Sequence, residues 1–255
     1  MPEAVLFDLD GTLADTAPDL GGALNRLLQE QGRDPLPLEK LRPHVSSGAR
    51  GMIGAGLGIT PADAAYPALQ QRFLAIYQDA LCVGTRLFDG MAEHLDELET
   101  REIPWGVVTN KSQRFAIPLM EGLGLRQRCV CIVCGDSARR AKPHGHPMHL
   151  ASALMGIAPG ACIYVGDDER DVIAGRVAGM QTVVAAWGYL GDGTPPAHWG
   201  ADVIATSPAE ILGIAAARRQ RIGAPMPSPL PRTKFSASPR QRARIALAIR
   251  ASAIN

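Results

Sequence analysis

Residues 4–13 read A-V-L-F-D-L-D-G-T-L, four apolar residues followed by two aspartates that flank a leucine, and then a glycine, a threonine and a leucine. A short apolar run that ends at a turn residue is typical of a buried strand. Such a strand delivers Asp8 and Asp10 into the loop at its carboxyl end, where open α/β sheets keep their functional sites. This stretch therefore predicts the first strand of a sheet and the first part of a site.

Further strand patterns alternate with helical patterns along the rest of the chain. Predicted strands cover residues 105–109, 130–133, 161–165 and 182–185. Predicted helices, with apolar residues three or four apart, cover residues 115–123, 148–155 and 172–178. This alternation predicts an α/β fold built on a Rossmann-like, doubly wound parallel sheet.

A long segment, residues 16–85, interrupts the alternation. It is rich in helical patterns, and prolines divide it at Pro35, Pro37, Pro43 and Pro61. The segment lies between the first strand and the next strand-helix unit. We therefore expect an inserted α-helical domain at residues 16–85, and a core formed by residues 1–15 and 86–213.

The charge pattern separates the end of the chain from the rest. From Arg218 onward there are nine basic residues and no acidic residue, whereas the preceding part has 17 basic and 25 acidic residues and a net charge of −8. Residues 222–239 contain five prolines. Residues 214–255 are predicted to be a basic, Pro-rich tail that is either disordered and solvated or in contact with an acidic surface.

The cysteine content and the hydropathy of the chain indicate the cellular compartment in which we expect the protein. Five cysteines are an odd number, which argues against a disulfide framework and for reduced thiols. Cys129, Cys131 and Cys134 lie in a strand pattern and lack the paired spacing of a zinc site. The chain has no run of about 18 apolar residues and no secretory signal pattern. We expect a cytoplasmic protein without a membrane span and without a nucleic-acid partner.

Polar segments follow several of the predicted strands. They cover residues 8–12, 109–110, 142–143 and 166–171. Together they supply carboxylates, a hydroxyl and an ammonium, the groups that phosphoryl transfer requires. Carboxylates gathered at one sheet edge repel each other, and a divalent cation offsets that repulsion. A set of oxygen donors favours Mg²⁺, with Asp8 and Asp167 as the first side-chain ligands.

The motifs D-L-D-G-T-L, T-N, K-P and G-D-D-E-R-D, in this order, resemble the four motifs of the haloacid dehalogenase superfamily. The resemblance covers residues 1 to about 213. It implies that Asp8 attacks phosphorus and that Asp10 protonates the leaving oxygen and then activates water. A carboxylic acid at the position of Asp10 is expected for phosphate ester chemistry.

The resemblance implies roles for the other motif residues as well. Thr109 and Asn110 would bind the phosphoryl group, and Lys142 would neutralise the nucleophile and the phosphate. The metal would be held by Asp8, Asp167, Asp171 and the backbone carbonyl of Asp10. No nucleotide cofactor is expected, since no glycine-rich nucleotide motif follows a predicted strand.

Residues 16–85 resemble the helical cap that closes over the site in this superfamily and supplies substrate contacts. Within the cap, Arg50 is a candidate clamp for a substrate carboxylate, or it lies on a solvated helix start. Within the superfamily the chain is similar to bacterial phosphoglycolate phosphatases and to their sister group, the N-acetylmuramic acid 6-phosphate phosphatases. Residues 86–91, 105–111 and 199–202 resemble the sister group more, and the two substrates are expected with about equal weight.

Some features depart from that pattern or leave alternatives open. The segment after Lys142-Pro143 carries His144, His146 and His149, which either add a pH-sensitive charge near the site or are exposed imidazoles. A phosphomutase uses the same pair of aspartates. A receiver domain also holds an aspartyl-phosphate with acids, Thr and Lys, but is about half as long and has no cap.

Overall fold

The structure is a computed structural model, and it describes residues 2–213. The strands of this part are β1 (Ala4–Phe7), β2 (Ala14–Asp15), β3 (Arg86–Leu87), β4 (Trp105–Val108), β5 (Ile132–Val133), β6 (Cys162–Gly166), β7 (Gln181–Ala185) and β8 (Val203–Ala205). Its helices are α1 (Ala17–Glu30), α2 (Leu38–Leu41), α3 (Gly48–Leu57), α4 (Tyr66–Asp79), α5 (Met91–Thr100), α6 (Gln113–Gly122), α7 (His146–Met155) and α8 (Glu169–Val177). Short 3-10 helices cover Arg42–Ser47, Pro159–Ala161 and Pro196–His198.

Six of these strands form one parallel sheet in the order β5-β4-β1-β6-β7-β8. The first strand, β1, is central: Phe7 pairs with Val107 of β4 on one side and with Val165 of β6 on the other. Because the strand order changes direction at β1, its carboxyl end is the switch point where doubly wound sheets bind ligands. This register brings the loops after β1, β4 and β6 to one edge.

Both faces of the sheet are covered, which explains why β1 is apolar at every position. Val5 and Phe7 lie in a hydrophobic cluster with residues of α5 and α6. Ala4 and Leu6 lie in a second cluster with residues of α7 and α8. All four side chains of β1 are buried, so the strand is a rigid base for the aspartates that follow it.

The inserted helices α1 to α4 form a further hydrophobic cluster, which includes Leu24, Leu27 and Phe73 and also contains Phe115 and Tyr189 from outside the insert. The chain enters this segment after β2 and leaves it before β3, and these two strands form an antiparallel pair. The predicted fold class, an α/β parallel sheet with an inserted helical cap, is confirmed.

Two features of the sheet differ from the sequence prediction. The strand predicted at residues 130–133 begins only at Ile132, and β8 was not predicted. Because β8 is a short edge strand with its middle residue exposed, it lacks the apolar run that marked the other strands. The two-residue β2 and β3 are also too short to produce a recognisable pattern.

The buried cysteines behave as core residues. Burial raises the pKa of Cys129 to about 11 and the pKa of Cys134 to about 12, so these groups are thiols at neutral pH. The predicted tail at residues 214–255 lies outside the described residues. Within residues 2–213, no helix has the length and apolar character needed to cross a membrane.

Candidate active site

The motif residues meet at the carboxyl edge of the sheet. Asp8 follows β1, and its N–H donates to the carbonyl of Val165 at 2.9 Å, which fixes the backbone of the first motif against β6. Thr109 follows β4 and its N–H donates to the carbonyl of Val133. Asp8, Thr109 and Asp167 are all buried, although each is polar. Buried polar side chains gathered at one sheet edge are typical of a functional site.

Lys142 is the central cation of the site. Its Nζ lies 2.8 Å from Asp8 Oδ1 as an ion pair, and it donates to Asp171 Oδ1 at 2.7 Å and to the hydroxyl of Tyr164 at 2.9 Å. Burial lowers the pKa of Lys142, but the two carboxylates outweigh it, so the net shift is upward. Lys142 is therefore a fixed positive charge beside Asp8.

The loop that carries Lys142 is held by Asn110. The side-chain N–H of Asn110 donates to the backbone carbonyl of Lys142 at 3.0 Å, and its Oδ1 accepts from the backbone N–H of Lys142 at 2.9 Å. The amide thus connects the loop after β4 to the lysine loop in both directions. Beyond the phosphoryl contact predicted for it, Asn110 positions the lysine.

Asp8, Asp167 and Asp171 form an acidic group whose ligand oxygens all lie within 4.8 Å of one another. Burial raises the pKa of Asp8 to about 7 against the opposing charge of Lys142, and burial together with Asp8 and Asp171 raises the pKa of Asp167 well above its usual range. Asp8 Oδ1 accepts no aligned hydrogen bond from any described residue. A bound cation would stabilise all three as carboxylates, and oxygen donors fit a hard divalent ion.

The side chain of Asp10 lies outside this acidic group. Its Oδ1 accepts from Thr16 Oγ1 at 2.6 Å and from Lys111 Nζ at 2.8 Å. The sequence analysis did not identify Lys111 as a site residue. Its one signal in the sequence was its position directly after Thr109-Asn110, in a loop that follows a central strand.

A cavity of about 300 Å³ opens over these groups, between the sheet edge and the cap. On the core side it is lined by Asp8, Asp10, Thr109, Asn110, Lys111, Lys142, Asp168, Arg170 and Asp171, among others. On the cap side, α4 contributes Gln70, Phe73, Leu74 and Tyr77, whose spacing of three and four residues places them on one helix face. The cap therefore forms one wall of the site.

The segment at residues 46–49 reaches the site, but the side chain of Arg50 does not line this cavity. Ser46 Oγ donates to Asp167 Oδ2 at 3.2 Å, and the carbonyl of Ser46 accepts from Arg170 at 2.8 Å. Arg50 is exposed on α3. Its predicted role as a carboxylate clamp stays a prediction.

Asp168 and the three histidines have other positions. Asp168 caps the start of α8 and also forms a salt bridge with Arg170, at 2.7 Å from its Nε. His144, His146 and His149 are exposed, and the first two rings stack at 6.2 Å. Their exposure agrees with the second of the two alternatives for this segment.

Comparisons with known proteins place this geometry in a family. The model of the family described as haloacid dehalogenase-like hydrolase matches residues 5–185. The chain is 42% identical to an N-acetylmuramic acid 6-phosphate phosphatase of Pseudomonas aeruginosa, over 83% of this chain and 94% of that protein. It is 44% identical to a phosphoglycolate phosphatase of Xanthomonas campestris pv. campestris, over 82% of this chain and 95% of that protein.

Solved structures show the same fold. The crystal structure of a predicted phosphoglycolate phosphatase from Haemophilus somnus superposes with a TM-score of 0.74 at 25% identity. The match covers 84% of this chain and 97% of the other. The described part of the chain thus corresponds to nearly the whole of that structure.

Proposed function

This chain belongs to the haloacid dehalogenase-like hydrolases and is a phosphatase, and from that premise we propose that it hydrolyses a small phosphomonoester through an aspartyl-phosphate on Asp8. The observation that carries the proposal is the position of Asp8. Its carboxylate is buried at the end of the central strand, 2.8 Å from a fixed ammonium, and faces a cavity. A positioned carboxylate of this kind is a suitable nucleophile for phosphorus.

In the first step an oxygen of Asp8 attacks phosphorus, and the bond between phosphorus and the ester oxygen breaks. Asp10 lies two residues further along the same loop and gives its proton to the leaving oxygen. In the second step Asp10 takes a proton from water, which attacks the aspartyl-phosphate and releases phosphate and Asp8. The hydrogen bonds from Thr16 and Lys111 keep Asp10 in place through both steps.

Phosphoryl transfer depends mainly on positioning and on charge stabilisation. Lys142 supplies a permanent positive charge next to Asp8. The hydroxyl of Thr109 accepts from the N–H of Lys111 at 3.1 Å, which leaves its O–H free to donate to a phosphoryl oxygen. Asn110 would add a further contact while it holds the lysine loop.

The proposal also includes a metal ion bound at the site. Asp8, Asp167, Asp171 and the backbone carbonyl of Asp10 would hold Mg²⁺, and the ion would neutralise the charge of the phosphoryl oxygens. The buried carboxylates support this assignment, because without a cation burial and mutual repulsion disfavour their charged forms.

The identity of the substrate is also part of the proposal. The two named relatives act on phosphoglycolate and on N-acetylmuramic acid 6-phosphate, and their identities to this chain are nearly equal. Both compounds are phosphomonoesters that also carry a carboxylate. The cap wall and the segment at residues 46–49 would contact the leaving group.

The proposal is tested by phosphate release in the presence of Mg²⁺, with wild type beside Asp8→Asn. We expect wild type to hydrolyse at least one of the two compounds, and Asp8→Asn to lose the activity while it remains folded. Asp192→Asn makes the same chemical change at an exposed position and is expected to retain full activity. If the activity of Asp8→Asn is within tenfold of the wild-type activity, the assignment of Asp8 as the nucleophile is refuted.

A further inference from the structure

Two donors that line the cavity are assigned no contact with the substrate in the reaction described above. Lys111 lines the cavity, and its side chain is only 8% exposed. Tyr77, on α4 of the cap, lines the same cavity and is 1% exposed. The Nζ of Lys111 lies 4.9 Å from the centroid of the Tyr77 ring, so the two side chains are in contact.

The hydroxyl of Tyr77 lies near the Nζ of Lys111 but forms no well-aligned hydrogen bond with it or with any other described residue. A buried hydroxyl without a partner costs about 1 to 3 kcal/mol, so such groups are rare unless a ligand completes them. Near the pair the lining includes the apolar side chains of Phe73, Leu74 and Phe115, together with the polar side chain of Gln70. The cavity therefore holds a polar pair that the protein itself leaves incomplete.

The chemistry of the pair restricts what it binds. An ammonium only donates hydrogen bonds, and one of the three N–H groups of Lys111 already points to Asp10. The ligand must therefore be an acceptor, and a negative charge suits a second contact to a buried cation. We propose that Lys111 and Tyr77 together bind a carboxylate of the leaving group, and this inference rests on the proposed function.

The position of Lys111 sets how far that carboxylate lies from the ester oxygen. Its Nζ is 2.8 Å from Asp10 Oδ1, and Asp10 must come within hydrogen-bond distance of the ester oxygen to protonate it. A group bound to Lys111 is therefore next to the ester oxygen. The substrate class that fits is an α-phosphooxy carboxylate, in which one carbon bears both the phosphate ester and the carboxylate.

This assignment separates the two candidate substrates. Phosphoglycolate is the smallest α-phosphooxy carboxylate. In N-acetylmuramic acid 6-phosphate the phosphate and the carboxylate are carried by different substituents on opposite parts of the sugar ring. The placement of the donors, and not the cavity volume of about 300 Å³, makes this distinction.

The experiment measures binding as well as turnover. Full-length Asp8→Asn protein with Mg²⁺ is titrated by calorimetry with 2-phosphoglycolate and with ethyl phosphate, which has a methyl group in place of the carboxylate. The titrations are repeated with double variants that combine Asp8→Asn with Lys111→Met or with Tyr77→Phe. The corresponding kcat/KM values are measured in variants that keep Asp8. Lys40→Met is the matched control, since Lys40 is an exposed lysine that does not line the cavity, and Arg50→Met tests the alternative clamp.

We expect Lys111→Met to weaken the binding of 2-phosphoglycolate at least about 30-fold more than the binding of ethyl phosphate, because one charge-assisted hydrogen bond is lost. Tyr77→Phe removes only a hydroxyl, and we expect a selective loss of about fivefold. Neither Lys40→Met nor Arg50→Met should change the ratio of the affinities for the two ligands.

Equal losses for both ligands would mean that Lys111 acts only through Asp10, and would overturn the inference. A selective loss in Arg50→Met, with the ratio unchanged in Lys111→Met, would overturn it as well. The proposed function fails separately: selective binding with no turnover by any form that keeps Asp8 would refute the hydrolase mechanism and leave the carboxylate site in place.

Discussion

The ammonium of Lys142 lies 2.8 Å from Asp8 Oδ1, and both side chains are almost completely buried. A buried ion pair of this kind stabilises the fold only while both partners are present, because either charge alone is left in a poorly solvated site. The same contact sets the charge of the proposed nucleophile. Changes at this pair should therefore affect stability and catalysis together.

Replacing Lys142 by Met should lower kcat at least about 1000-fold and lower the free energy of unfolding by about 3 kcal/mol. The reason is that Asp8 and Asp171 lose their shared cation. Urea denaturation and steady-state kinetics measure the two effects. Lys40→Met, at an exposed lysine of α2, should change neither quantity. A stable, active Lys142→Met protein would contradict the assignment.

Replacing Asp10 by Asn should slow hydrolysis of an alkyl phosphate by about 100-fold to 10,000-fold, because the leaving oxygen receives no proton. Nitrophenolate leaves without a proton, so p-nitrophenyl phosphate should still transfer its phosphoryl group to Asp8. The aspartyl-phosphate should then accumulate, since Asp10 also activates water. A burst of nitrophenolate and a mass gain of one phosphoryl group are the measurements. A burst that Asp8→Asn/Asp10→Asn also shows would rule out Asp8 as the acceptor.

Mg²⁺ should raise the melting temperature of the wild-type protein, because a ligand that binds only the folded state stabilises it. The ion would offset the repulsion among Asp8, Asp167 and Asp171. A chelator should reverse the shift and abolish phosphate release, and added Mg²⁺ should restore both. In Asp167→Asn the shift should be much smaller. An equal shift in wild type and Asp167→Asn would place the ion elsewhere.

His94 should make the protein less stable in acid. Both ring nitrogens are buried without a hydrogen-bond partner among the described residues, and burial lowers the pKa of His94 to about 4. The unfolded chain therefore binds a proton that the folded chain does not, between about pH 6.5 and pH 4. The contribution of His94 to stability is constant above pH 6.5 and becomes increasingly unfavourable as the pH falls through that window.

His94→Leu should remove this dependence and increase the free energy of unfolding by roughly 2 kcal/mol more at pH 5 than at pH 7.5. Urea denaturation at the two pH values measures the difference. His149→Leu changes an exposed histidine of α7 and serves as the control. If both variants respond to pH alike, another group causes the acid sensitivity.

Arg170 should hold the cap segment against the core, since it pairs with Asp168 and donates to the carbonyl of Ser46. Arg170→Met should raise KM about tenfold, because charged hydrogen bonds that position the cap wall are lost. Hydrogen exchange of residues 42–48 should become faster in the same variant. Arg176→Met, at an exposed arginine of α8, is the matched control. Unchanged exchange at residues 42–48 would show that other contacts hold the cap.

Much of the fold could be predicted because the strands of a buried parallel sheet are apolar on both faces, and such runs are visible in a sequence. The predicted helices lie within about two residues of the observed ones at most ends. The strand β8 and the pair of β2 and β3 could not be predicted, since edge position and a length of two or three residues leave no periodic signal. Asp8 and Asp167 lie directly after β1 and β6, as expected for residues at strand ends. The expectation that Lys142 directly follows a strand was wrong, because β5 ends at Val133 and Lys142 lies far along the loop that leads to α7.

The sequence by itself indicated the reaction class, a phosphatase, because its four motifs resemble those of the family and the carboxyl ends of strands in a parallel sheet converge. Only the tertiary structure decided which side chains face one another across elements distant in the chain. The contact of Lys111 with Asp10 spans 101 positions, and the approach of Tyr77 to Lys111 depends on how the cap packs over the sheet. Such contacts depend on packing between separate elements, and no local pattern of residues encodes them.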